Sequence, residues 1–184
     1  MKKIILEDLH HGVRVANMCF KLKKKFRVSK RDEKILYVAA LFHDIGKAHL
    51  DQKILLKNGK LTEQEYKHIK THVLHSCTEI EKMGYNGNVI DVVMHHHENF
   101  DGSGYPSGKK AFEIPFLARF LKVFDVYDAL TSNRPYRASI GVREAIAVMR
   151  GSRHEYDPNI LQVFESFVLS REYVPIWEKK KIYL

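Results

Sequence analysis

Apolar residues recur with a helical period almost from one end of the chain to the other, and no run alternates with period two for long enough to form a sheet. The expected fold is therefore all-α. Leu6 to about Phe26 reads as an amphipathic first helix. In Asp32 to Asp44, Ile35, Leu36, Val38, Ala39, Ala40, Leu41 and Phe42 are apolar nearly all round, the pattern of a buried helix whose end sits deep in the domain. Thr62 with Glu65 three residues on is a capping box, opening a third helix to about Met83, where Gly84 serves as the C′ residue. Asn88 to His97, Phe116 to about Thr131 and Val142 to Arg150 are three more, and Asp157 before Pro158 is an N-cap and N1 pair opening the last. Between the fourth and fifth helices, Asn99 to Pro115 carries Gly102, Gly104, Pro106 and Gly108, a long loop of the kind that is usually functional inside a compact domain. Residues 1–170 read as one domain, with no internal repeat, and residues 171–184 as a tail or connector.

A chain of 184 residues, 45% hydrophobic, can bury one substantial core. Cys19 and Cys77 are too few and too scattered for a disulfide framework or a thiolate zinc site, which fits a reducing cytoplasm. Met1 to Leu6 is too short for a signal core or a membrane span, so the reading is a soluble chain with no membrane segment. The formal charge of +9 implies attraction for polyanions, whether nucleic acid, an anionic surface or a phosphorylated small molecule, and cannot choose among them.

The 11 histidines gather at particular places: His10 and His11, His43, His68, His72 and His75, then His95, His96 and His97. His43 and Asp44 are adjacent at the end of the most buried helix, where an unpaired charge is costly, so they must be paired or bound to metal. Glu7 and His11 are four apart and share a helix face, as do His68 and His72. His96 and His97 continue the apolar stripes of Val89 and Val93 and of Ile90 and Met94, whereas His95 points elsewhere. Asp125, among Leu121, Val123, Phe124 and Val126, is a second carboxylate in a buried helical run. Imidazole with carboxylate suits iron, manganese or zinc, and the lack of thiolates argues against structural zinc. There are more ligands than one ion needs, which points to two or three. His10, His49, His68, His75 and His95 are read as structural.

The run Leu41-Phe42-His43-Asp44-Ile45-Gly46-Lys47 resembles the signature of the HD superfamily of phosphohydrolases, and His96-His97-Glu98-Asn99-Phe100-Asp101-Gly102-Ser103-Gly104-Tyr105-Pro106 resembles the HHExxDGxGYP signature of HD-GYP domains. The likeness extends through Ile54 to Lys57, Asp125 to Thr131 and Arg134 to Arg137 as far as Tyr156-Asp157-Pro158. It implies an HD-domain helical bundle that hydrolyses cyclic di-GMP. Carried over by position, the metal ligands are His11, His43, Asp44, His72, His96, His97 and Asp125, with Glu7 matching the glutamate that serves a third ion in trinuclear members. Lys47, Tyr105, Arg134 and Arg137 match positions near substrate phosphates or bases. Ser76 stands where glycine is common, Phe124 where alanine is usual and Tyr156 where phenylalanine is, departures that bear on packing and not on ligands.

On this resemblance two or three divalent ions, iron or manganese, serve a phosphodiesterase that opens cyclic di-GMP to linear pGpG and possibly on to GMP. Asp44 and Lys47 are the expected catalytic residues, Asp44 because a carboxylate has two oxygens to share between ions. The rival readings are an HD-superfamily hydrolase of another nucleotide or cyclic dinucleotide, and a non-catalytic regulatory module that binds cyclic di-GMP or a cyclase. The Gly102 to Pro106 loop is the expected contact for a diguanylate cyclase (GGDEF) domain, and no nucleic acid polymer is expected as a partner.

Overall fold

A computed structural model describes residues 2–85, 87–133 and 138–170, with side chains from Leu6 onward, and among these residues there are helices and turns but no strand. The first helix, α1 (Lys2–Leu22), runs into a 3-10 turn, Lys23–Phe26, which stops at Arg27 in the left-handed region. Ser29 caps α2 (Lys30–Phe42), its hydroxyl accepting from the Asp32 N–H at 3.1 Å. His43 and Asp44 follow directly, leading into a second 3-10 turn, Ile45–His49, and the short α3 (Gln52–Leu55).

The expected helix from Thr62 to Met83 is two helices. The capping box forms as expected, Glu65 N–H to Thr62 Oγ1 at 3.2 Å and Thr62 N–H to Glu65 Oε2 at 2.7 Å, and opens α4 (Glu63–Lys70). At Thr71 both the hydroxyl and the N–H donate to the His68 carbonyl, at 2.7 and 3.1 Å, which closes the last turn three residues back and starts α5 (His72–Lys82) afresh. The break turns His68 away from His72: His68 Nε2 accepts the Asp51 N–H at 3.0 Å, the structural role expected of it. Gly84 ends the run with φ +81. The next helix, α6 (Gly87–Met94), stops before His95, so the three histidines lie in a turn beyond it. Then come α7 (Phe116–Thr131), α8 (Val142–Gly151) and α9 (Pro158–Val168), the last opened by Asp157 Oδ1 accepting from Asn159 N–H at 2.9 Å.

α7 is the central helix: eleven of its sixteen residues are buried, so it cannot present a polar face to solvent and must be packed on several sides. It lies against α1, α6, α8 and α9. Phe124 belongs to this core, 4.8 Å from the Phe120 ring and 5.1 Å from that of Phe164, which accounts for an aromatic where alanine is usual. The turn after Asp44 presses onto α5. A Cβ on Gly46 would lie 2.2 Å from the His72 carbonyl oxygen, and the Gly46 N–H donates to Ser76 Oγ at 2.9 Å. Ser76 is thus the partner of a buried N–H, and the pair fixes His72 beside Asp44. Tyr156 is buried in the core as a phenylalanine would be.

Candidate metal centre

Five elements deliver side chains to one point. α1 brings His11, the end of α2 brings His43 and Asp44, α5 brings His72, the turn after α6 brings His96 and His97, and α7 brings Asp125. They form two groups, His11, His43, Asp44 and Asp125 in one and Asp44, His72, His96 and His97 in the other, each with its ligand atoms within 4.8 Å of one another. Asp44 belongs to both. Its Oδ2 lies 3.4 Å from His43 Nε2 and 3.7 Å from His11 Nε2, while its Oδ1 faces His72 Nε2 at 3.3 Å. Asp125 Oδ1 is 2.9 Å from His11 Nε2 and 3.6 Å from His43 Nε2.

The imidazoles are held in one orientation. Nδ1 of His43 is 2.9 Å from the Ala40 carbonyl, that of His72 is 2.8 Å from Ile69 and that of His96 is 2.5 Å from Val93. A carbonyl can only accept, so each Nδ1 carries a hydrogen and each Nε2 is the nitrogen turned inward. Nδ1 of His11 donates instead to Asp128 Oδ2 at 2.6 Å. His43 Nε2, His96 Nε2 and Asp44 Oδ1 are buried with no hydrogen-bond partner. Such orphaned atoms cost about 1–3 kcal/mol each, and here they converge, which fits a cation held among nitrogen and oxygen donors.

The field of the site favours positive charge. Burial opposes ionisation of Asp44, but Lys47 and His43 outweigh it and hold the carboxyl well below the usual range. Asp125 is treated the same way by His11 and His43. Burial disfavours a charged His43, yet Asp44 and Asp125 raise its pKa to about 10. His96 stays neutral: burial, with His43 and His72 nearby, pushes its pKa down to about 3. Such spread among neighbouring groups is the mark of a working site.

Lys47 sits in the turn after Asp44, its ammonium 2.5 Å from Oδ2. Tyr105 stacks on His97, ring centroids 4.8 Å apart and 24° from parallel. The loop holds this pose because it folds back on itself: a Cβ on Gly104 would lie 2.2 Å from Asn99 N. Buried Glu98 anchors it, one oxygen accepting the Ser107 N–H at 2.6 Å. Beside the centre a cavity of about 670 Å³ is lined by Lys47, Lys57, Ile69, His72, His97 and Tyr105. Arg134 and Arg137 lie outside the described residues.

Glu7 is exposed and belongs to neither group. Its neighbour Asp8 is half-buried instead: burial raises its carboxyl pKa, and Lys47, Asp44, His11 and His43 all act on it. His95 is buried, but its Nδ1 binds the Asp91 carbonyl of α6 at 2.8 Å, and it belongs to neither group. Reading the sequence for ligands passed over Asp128, which is fully buried and takes both His11 Nδ1 and the Arg14 guanidinium, Nε and Nη2 each at 2.8 Å. The signal for it was its position three residues after Asp125 on one helix face.

An all-helical bundle that buries a His-Asp pair among further histidines and carboxylates has the features of an HD phosphohydrolase domain. The HD domain family pattern matches residues 6–160. A 3′3′-cGAMP-specific phosphodiesterase of Vibrio cholerae is 38% identical over 86% of this chain and 36% of its own length. A cyclic di-GMP phosphodiesterase of Pseudomonas aeruginosa is 36% identical over 90% of this chain and 40% of its own. The chain therefore spans well under half the length of these relatives. In fold it is similar to an HDG"Y"P protein from Bdellovibrio bacteriovorus, at a TM-score of 0.72 and 20% identity over 89% of this chain and 53% of that one. The chain belongs to the HD domain family. Among the described residues no helix is long and apolar enough to cross a membrane.

Proposed function

We propose that this chain is a metal-dependent phosphodiesterase that opens a cyclic dinucleotide, with cyclic di-GMP as the substrate, to the linear dinucleotide pGpG and on to GMP. The observation that carries the reading is Asp44, whose two oxygens face two separate groups of buried donors. Two divalent ions, iron or manganese, fit these groups, with Asp44 between them, His11, His43 and Asp125 on one side and His72, His96 and His97 on the other. Bound there, the pair would supply an activated water and a polarised phosphate. The protein's own part is to fix the donors, through four imidazoles each locked by a bond at Nδ1, and to keep them dry.

Lys47 places a cation at the mouth of the centre, where negative charge gathers as a phosphodiester is cleaved. Tyr105 offers the substrate an aromatic wall beside His97. Arg134 and Arg137 are retained as substrate contacts on the resemblance, as is a diguanylate cyclase contact at the Gly102 to Pro106 loop. The free, buried Cys19 and Cys77 fit a cytoplasmic setting.

The Vibrio cholerae relative favours a second substrate, 3′3′-cGAMP. Product analysis decides: protein loaded anaerobically with iron or manganese is given cyclic di-GMP, 3′3′-cGAMP and deoxynucleotides. Cleavage of cyclic di-GMP with pGpG or GMP as product supports the proposal. Preferential cleavage of cGAMP supports the second reading, and deoxynucleotide turnover alone refutes both.

A further inference from the structure

Two lysines line the cavity beside the centre, Lys47 and Lys57, and a third, Lys70, lies over the Tyr105 ring that lines it; the three are not equivalent. Lys47 lies against Asp44. Lys57 is neutralised: its ammonium is 2.8 and 2.7 Å from the two oxygens of Glu65, and Glu65 is itself tied to the Thr62 N–H by the capping box. Lys70 is different. It ends α4, is half-buried, and its ammonium lies 4.5 Å from the centroid of the Tyr66 ring and 4.9 Å from that of Tyr105. Its described contacts are these two aromatic faces, with no carboxylate among them. A cation poised on π faces keeps its full charge for an anion, since the rings stabilise it without neutralising it.

The placement gives that charge a purpose. Tyr105 lines the cavity and stacks on His97, so Lys70, over the Tyr105 ring, stands two contacts out from the centre. A cyclic dinucleotide is a ring with two phosphodiesters on opposite sides. While one is at the centre, the other projects outward and needs a cation of its own. We infer that Lys70 is the residue that receives the second, uncleaved phosphate, and that it makes the site select cyclic dinucleotides over substrates with a single phosphodiester. This rests on the function proposed above.

The test compares wild-type protein with Lys70→Met and Lys70→Arg, each loaded with manganese, on cyclic di-GMP and on bis(p-nitrophenyl) phosphate, which has one phosphodiester. Lys70→Met removes the charge and keeps an unbranched side chain of similar length at a half-buried helix end, and folding is checked by circular dichroism. The expected result is a KM for cyclic di-GMP about tenfold higher, equivalent to about 1.4 kcal/mol. kcat and the KM for the small ester stay near wild type, and Lys70→Arg restores the lost affinity. A purely structural role, in which Lys70 only steadies Tyr105 on His97, would slow both substrates alike and overturn the inference. So would an unchanged KM for cyclic di-GMP in Lys70→Met. Wild-type protein that cleaves the small ester but no cyclic dinucleotide would overturn the proposed function along with this subsite, whereas wild-type turnover with an indifferent Lys70→Met overturns the subsite alone.

Discussion

Asp128→Asn tests whether the centre depends on a residue that touches no reacting group. Asp128 has no exposed surface and accepts from His11 Nδ1 at 2.6 Å, from Arg14 at 2.8 Å twice, and from Ser132 Oγ at 3.2 Å. Burial opposes its ionisation, but the hydrogen bonds from His11 and Arg14 prevail and keep the carboxyl below its usual range. Asparagine keeps the shape, removes the charge and turns an N–H₂ toward donors. Breaking a buried ion pair costs about 3–5 kcal/mol. The Arg14 side chain is 27% exposed and can turn to water, so the lower end of that range, about 3 kcal/mol, is expected for the metal-free protein. His11 then loses the acceptor that fixes its tautomer, and loss of such a partner weakens metal binding about 10–100-fold. Urea unfolding gives the first quantity and chelator competition the second. Arg14→Leu serves as the control, since it leaves the His11–Asp128 bond in place: it should cost stability and spare metal affinity. Wild-type metal affinity in Asp128→Asn, or equal weakening in Arg14→Leu, would refute the reasoning.

Asp44→Ala is expected to abolish hydrolysis and leave a helical circular dichroism spectrum, because it removes the carboxylate shared by both groups and little apolar burial; activity near wild type would remove Asp44 from the centre. Glu7→Gln is expected to leave the metal content of anaerobically reconstituted protein unchanged, as Glu7 is exposed; elemental analysis showing one ion fewer would establish a third ion at this glutamate. Gly46→Ala is expected to cost about 1–3 kcal/mol in thermal or urea unfolding and to lower metal occupancy, since its Cβ would meet the His72 carbonyl and push that imidazole from Asp44.

Much of this protein is decided within a few residues of chain, and that part is legible from sequence. Apolar period makes it helical, the Thr62 and Glu65 side chains cap one helix, Asp157 and Pro158 open another and Gly84 closes a third, because each of these bonds joins neighbours. The residue types that converge on the centre were legible too, since a buried His-Asp pair cannot stand alone. Tertiary packing decided the rest. Glu7 and Asp8 lie on either side of His11, about 40° and 60° round the helix, so period alone gives both a claim on the site. Only the packing of α1 against α2 and the turn after it leaves Glu7 in solvent and brings Asp8 under the field of the centre. In the same way His11 meets Asp128 across 117 residues, and Lys70 of α4 meets Tyr105 in the loop beyond α6. A helix fixes which residues share its face, and its neighbours fix where that face points.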